Sequence, residues 1–213
     1  MKLRHCAGSA LLMIAGALAA SAVSASSETL RFKVSLGDKE IGTQNFRLDR
    51  NGERLTVAID AEFDVRYIAL NFYSYRHRNT EIWNGNCLES MQARTDDNGD
   101  QLAVEGASTP GGFKVQATNL STVLPACVMS FAYWNTEFLK ATRLLNSQTG
   151  VYEPVRVDRV GRERIRVRGQ SVDATRYRLT GNKIAIDLWY ADDQRWLRLE
   201  SQVKDSRLIY DLI

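Results

Sequence analysis

Residues 54–65 read RLTVAIDAEFDV. Leu55, Val57, Ile59, Ala61, Phe63 and Val65 recur at every second position. Between them stand Arg54, Thr56, Ala58, Asp60, Glu62 and Asp64, polar at all but Ala58. Side chains along a strand point alternately to its two faces, so this is a strand with one dry face and one wet one. Strands of that kind belong to antiparallel sheets packed on one side only. Asn51-Gly52, just before it, is a dipeptide that tight hairpins favour, because both positions take positive φ. It predicts a hairpin to a strand over about residues 44–49.

Working outward, turn signals recur at short spacing: Gly37-Asp38, Asn84-Gly85, Asn98-Gly99, Gly111-Gly112, Gly161, Gly181-Asn182, Asp192-Asp193 and Asp205-Ser206. The C-terminal third reads as six strands, over 155–160, 163–169, 171–179, 184–190, 196–203 and 208–213. Ile184, Ile186, Leu188 and Tyr190 share one face, and Leu197, Leu199 and Val203 share another. Regular strands with tight turns make a meander, so the fold class is mainly β: a curved antiparallel sheet or partly open β-barrel. Residues 136–146, TEFLKATRLLN, break this rhythm. Asn135 or Thr136 can cap a helix, Glu137 and Arg143 suit its ends, and Phe138, Leu139, Thr142 and Leu145 recur at helical spacing. One helix packed on the sheet is expected there.

The first 25 residues differ from all others. Lys2 and Arg4 are followed by an uncharged apolar run over 10–22 and by Val23-Ser24-Ala25, a small-x-small cleavage pattern. This reads as a signal peptide, cut near Ala25, and implies a periplasmic or secreted protein. Cys6 lies ahead of the apolar run, so it cannot be a lipidated first residue. The 188 residues left of 213 suit a single domain, 26–213. The 28 basic residues lose Lys2 and Arg4 with the leader, leaving 26 against 25 acids. So even a balance gives no pull toward nucleic acid. No later apolar run is long enough to cross a bilayer as a helix. Two cysteines remain, Cys87 and Cys127. In an oxidising compartment a disulfide is the expectation; two buried thiols or a zinc pair are the alternatives, the latter without nearby ligands.

The order of several short motifs resembles an uncharacterised exported bacterial family, domain of unknown function 6134. They are Lys39-Glu40-Ile41-Gly42, Glu81-Ile82-Trp83, Tyr133-Trp134-Asn135, Leu188-Trp189-Tyr190 and a final strand with Tyr210. The resemblance covers essentially the whole chain after the leader. It is similar to other periplasmic β-rich families that look like curved-sheet lipid or lipoprotein carriers. It implies compartment and fold, and carries no activity and no catalytic residues.

Site candidates are few. His77, the one histidine after the leader, shares a strand face with Tyr73, Tyr75, Asn79, Glu81 and Trp83. His77 and Glu81 could serve as base and acid in a pocket. They stand four residues apart, roughly 13 Å along a strand, so each needs partners from other strands. The plainer reading is an amphipathic face whose aromatic tips and His77 reach water or one another. A serine triad would have to use His77, and nothing singles out a serine. No phosphate-cradling loop or nucleophile elbow is present, and no cofactor is implied. Metal ligands are too few; Asp96-Asp97-Asn98-Gly99-Asp100 starts like a calcium loop but has Ala107 where the twelfth-position glutamate belongs. Arg164, Arg166 and Arg168 share a strand face that could grip an anion, with Asp158, Glu163 and Asp173 near enough to neutralise part of it. Residues 124–134, LPACVMSFAYW, form the least polar stretch after the leader. Met129, Phe131, Tyr133 and Trp134 are candidates to line an apolar cavity; plain packing of the helix onto the sheet is the alternative.

Three functional classes follow. The preferred one is a non-enzymatic binding or envelope-maintenance protein for an apolar or lipid-like ligand. The others are a hydrolase-type enzyme acting on envelope components through His77, and a structural partner of another envelope protein that docks through an edge strand.

Overall fold

A computed structural model describes residues 25–67 and 70–213, with side chains described for 25–65 and 73–213. Residues 1–24, most of the segment read as a signal peptide, lie outside the described residues. Eight strands follow one another as hairpins: β1 (Ala25–Leu36), β2 (Lys39–Asn51), β3 (Arg54–Tyr67), β4 (Leu70–Asn84), β5 (Cys87–Asp97), β6 (Asp100–Thr109), β7 (Gly112–Ala117) and β8 (Leu120–Leu124). The chain then crosses the concave side of the sheet. It returns as β9 (Arg143–Leu145), β10 (Tyr152–Val167), β11 (Gln170–Gly181), β12 (Ile184–Tyr190), β13 (Trp196–Val203) and β14 (Ser206–Leu212), and β14 pairs with β1. All fourteen form one antiparallel sheet whose ends are β8 and β9, with no ladder between those ends among the described residues.

The sheet is therefore curled but not closed into a barrel, and glycine shows how the ends meet. Gly150, in the β9–β10 turn at φ +76, sits so close to β7 that a Cβ there would lie 2.7 Å from the Cβ of Ala117. The far end of the sheet tucks against the inner face near the opposite end, instead of pairing edge to edge. The alternation read in residues 54–65 is what curls it: Leu55, Val57, Ala61 and Phe63 are buried, and Asp60 and Glu62 face outward to Arg78 and Arg76. Phe32, Phe46 and Trp196 meet across the roll, with ring centroids 4.1 Å apart for Phe32–Trp196 and 5.5 Å for Phe46–Trp196. Each such buried side chain is worth about 1.5–3 kcal/mol relative to exposure.

Two expectations fail. No α-helix is found among the described residues; residues 136–146 make one 3-10 turn, Thr136–Lys140, and then β9. Asn135 does cap the turn, its Oδ1 accepting from Glu137 N at 3.1 Å. The chain leaves at Ala141 because the backbone of Leu145 is bonded elsewhere: its N–H donates to Met129 O at 2.8 Å and its C=O accepts from Phe131 N at 3.3 Å. Leu144 and Leu145 are both fully buried. Successive residues of a strand face opposite ways, so β9 is covered on both sides. The second miss is Gly161. Residues 155–160 and 163–169 are one strand, β10, pairing throughout with β11; the register shifts between Arg159 and Gly161, leaving Val160 as the extra, exposed residue of a bulge. The remaining turn signals fall between strands, with Asn51-Gly52 between β2 and β3 and Asn98-Gly99 between β5 and β6.

Candidate functional site

Between β2–β4 on one side and β12–β14 on the other, the concave face leaves a cavity of about 1020 Å³. That is at the upper end of the roughly 300–1,000 Å³ usual for small-molecule sites. Phe46, Phe63, Ile186, Leu199 and Leu208 give the wall its apolar character. The mouth lies at the β13–β14 hairpin, where Lys204 and Asp205 are exposed. β4 runs down one side and points Tyr73, Tyr75, His77 and Glu81 inward, from mouth to floor. The eight steps from Tyr73 to Glu81 cover roughly 27 Å at about 3.4 Å per residue.

His77 sits part-way down and is buried. Its Nδ1 lies 2.8 Å from Thr95 Oγ1 on β5, and its Nε2 lies 3.3 Å from Ser147 Oγ. Burial disfavours the imidazolium and pushes the ring down to about 4, against a small upward pull from Asp60. At neutral pH it is an uncharged ring that donates at one nitrogen and accepts at the other. Ser147 is held in place by the turn around it. Asn146 Oδ1 accepts from Gln148 N at 2.9 Å and Thr149 N at 3.2 Å, and Asn146 O accepts from Gly150 N at 2.8 Å. Next to it Gln148 accepts from Tyr75 Oη at 3.1 Å and donates to Asp97 Oδ2 at 3.1 Å, while Tyr73 Oη donates to Asp97 Oδ1 at 2.7 Å. Burial raises both tyrosines, so both stay neutral.

Glu81 lies nearer the floor, fully buried. Oε1 accepts from Asn79 Nδ2 at 2.9 Å and Oε2 from Trp83 Nε1 at 3.0 Å; Ser130 is also bonded to it. Burial pushes this acid upward, and the three hydrogen bonds pull the other way. His77 and Glu81 do share the inward face, but each has its own partners, and neither touches the other's. On the plainer reading, aromatic tips and His77 reach water or one another: the Tyr75 and His77 rings stack with centroids 6.3 Å apart, and His77 and Glu81 are buried.

Of the four candidate lining residues, Phe131 and Tyr133 line the cavity. Met129 and Trp134 pack against the core, Trp134 edge-on to Trp83 with ring centroids 5.4 Å apart. Residues 125–134 carry no helix to the sheet; they cross its inner side and form part of the cavity wall themselves. The disulfide Cys87–Cys127 ties them to the start of β5, with Cα atoms 4.9 Å apart, and Leu88 N donates to Val128 O at 3.0 Å.

The arginines lie elsewhere. Arg164 is on the outer face and donates to Asp173 at 2.8 Å. Arg166 is exposed on the same strand. Arg168 does not continue that face: it sits past the end of β10 at φ +52, and its guanidinium donates to Ile213 O at 2.8 Å. No cluster of three or more metal-ligating side chains occurs among the described residues, and no helix among them is long and apolar enough to cross a membrane.

Residues 32–213 match the family model named Domain of unknown function (DUF6134). The chain belongs to the DUF6134 family. No curated protein matches it. Among solved structures it is similar to a β-barrel-like protein of another domain of unknown function, DUF1849, from Brucella abortus. The TM-score is 0.63 with 8% identity, over 87% of this chain and 94% of that one. At that identity the likeness speaks for the fold alone. For this DUF6134 chain, sequence reasoning missed Thr95, Ser147, Gln148 and Ser130. Ser147 and Gln148 stand in a polar turn, NSQTG, that reads like any exposed loop; only the tuck of Gly150 under β7 turns it inward.

Proposed function

We propose that this chain is an exported, non-enzymatic carrier that holds an apolar, lipid-like ligand in the cavity between the two halves of its sheet. The observation that carries this is the cavity itself: about 1020 Å³, apolar-walled, and reached from one end of the roll. One leaflet of a bilayer is roughly 15 Å of hydrocarbon, so a groove running roughly 27 Å along β4 has length for an acyl chain and a head. The leader supports the compartment, and cleavage after Ala25 takes away only the first pair of the β1–β2 ladder, Ala25 with Asn51. The test is native mass spectrometry of the protein gently purified from the periplasm. A copurifying lipid-sized mass is expected. A bare mass, together with no uptake of an added uncharged fluorescent acylglycerol analogue, refutes the reading.

A second reading, a hydrolase, is favoured by one contact, Ser147 Oγ to His77 Nε2 at 3.3 Å. Its weakness is electrostatic. Thr95 stands where a carboxylate would stabilise the imidazolium, and a ring held down to about 4 is a poor base at neutral pH. Turnover of p-nitrophenyl acyl esters that disappears in Ser147→Ala would put the enzyme first.

A further inference from the structure

The cavity wall is not uniform. Besides the aliphatic side made by Ile184, Ile186 and Leu199, the wall has one polar patch, from His77 on β4 and from Ser147 with Gln148 in the β9–β10 turn, with Thr95 on β5 backing His77. Groups so far apart in sequence converge only because the end of the sheet tucks inside. Exposed charges of the lining are at the mouth, on Lys204 and Asp205, and the Asp97 carboxylate stands behind the wall, held by Tyr73 and Gln148. Deeper down, His77 is held neutral, the tyrosines are held neutral, and Glu81 is pushed toward its acid form with three donors already on it. An anion brought down to the level of His77 would meet no cation there and would lie near the Asp97 carboxylate instead, and burying an unpaired ion costs far more than burying a hydroxyl or an ester.

Resting on the carrier reading above, we infer that the ligand is an uncharged acyl lipid bearing hydroxyl or ester oxygens, and that Ser147 and His77 hold its oxygen-bearing group part-way down the cavity. Ser147 can accept from a ligand hydroxyl while its own O–H donates to Nε2, or donate to an ester carbonyl when it turns away. Ring and serine thus serve either kind of oxygen with no change of charge. The ionised fatty acid of the same chain length is the excluded ligand.

The experiment uses the full chain after the leader and a naphthalene dye whose fluorescence rises in the cavity. Monooleoylglycerol and oleate compete for it at pH 8. Monooleoylglycerol should displace the dye at about tenfold lower concentration than oleate, since an uncompensated negative charge loses at least that factor. In Ser147→Ala the preference should shrink to about twofold, each displacement being read against that variant's own dye affinity; Asn146 and Gly150 hold the turn, so this variant keeps the wall. His77→Asn is the second variant, with the same expectation. Equal displacement by both lipids overturns the inference and leaves the carrier standing. A preference that survives in both variants overturns the site. No uptake of dye or of any lipid overturns the carrier reading and the inference with it.

Discussion

His77 makes folding stability depend on pH in a way that can be measured residue by residue. In the folded chain burial holds the ring down to about 4; in the unfolded chain it returns to the ordinary 6.5. Between those values the unfolded state binds a proton that the folded state refuses, so acidification draws the equilibrium toward unfolding. Stability from His77 is complete above pH 6.5 and is lost progressively down to about pH 4. The gap corresponds to about 3 kcal/mol. For a chain of this size that is roughly 6–12 °C in Tm. Glu81 acts in the opposite sense: its acid form is favoured by burial, so acidification helps it. The comparison must therefore cancel everything but the histidine. Urea unfolding of wild type and His77→Asn, both with the disulfide intact, would be run at pH 7.5 and pH 4. The wild type should lose about 3 kcal/mol more than the variant between those conditions. If the two lose the same stability to within about 0.5 kcal/mol, His77 is not the dry, neutral ring described above, and the electrostatic basis of ligand selectivity goes with it.

Three further tests probe the frame around the cavity. Cys127→Ser removes a link closing a loop of 40 residues, and should lower stability by about 4 kcal/mol in the chain-entropy model, read by urea unfolding against the oxidised wild type. Gly42 on β2 approaches β3 so closely that a Cβ would sit 1.9 Å from Glu62 O; Gly42→Ala should cost more than about 2 kcal/mol, and a thermal melt matching wild type would mean that the approach is looser. Trp83 and Trp134 make a paired control. Trp83→Phe strips a hydrogen bond from buried Glu81 and should cost about 1–3 kcal/mol, whereas Trp134 Nε1 is buried without a partner, so Trp134→Phe should be close to neutral in the same assay.

Much of this molecule is legible in short stretches. Residues 54–65 place a half-buried strand, Asn51-Gly52 places its hairpin, and the same two signals recur along most of the chain. They are legible because alternation and left-handed turn residues act over two to six positions, without knowledge of anything distant. The failures are where distant contacts outvote local preference. Residues 136–146 have helical spacing and a working cap, yet the backbone of Leu145 is taken by Met129 and Phe131, and the helix stops after one turn. Gly161 looks like a turn, but its neighbours keep pairing with one partner strand, so it becomes a bulge.

The candidate site divides in the same way. Sequence alone placed His77 and Glu81 on one strand face, because period two requires it, and left Cys87 and Cys127 as a pair with an expected bond. It also picked out Phe131 and Tyr133, on composition, together with Met129 and Trp134, which turn out to pack on the core. Only the tertiary structure decided that the face looks into a cavity, that Thr95 and Ser147 meet the two ring nitrogens, and that the arginines lie on the outside. The physical reason is sheet curvature: which residues come together across a roll depends on how fourteen strands bend and where the β9 end tucks in, and that is a property of the whole sheet rather than of any segment.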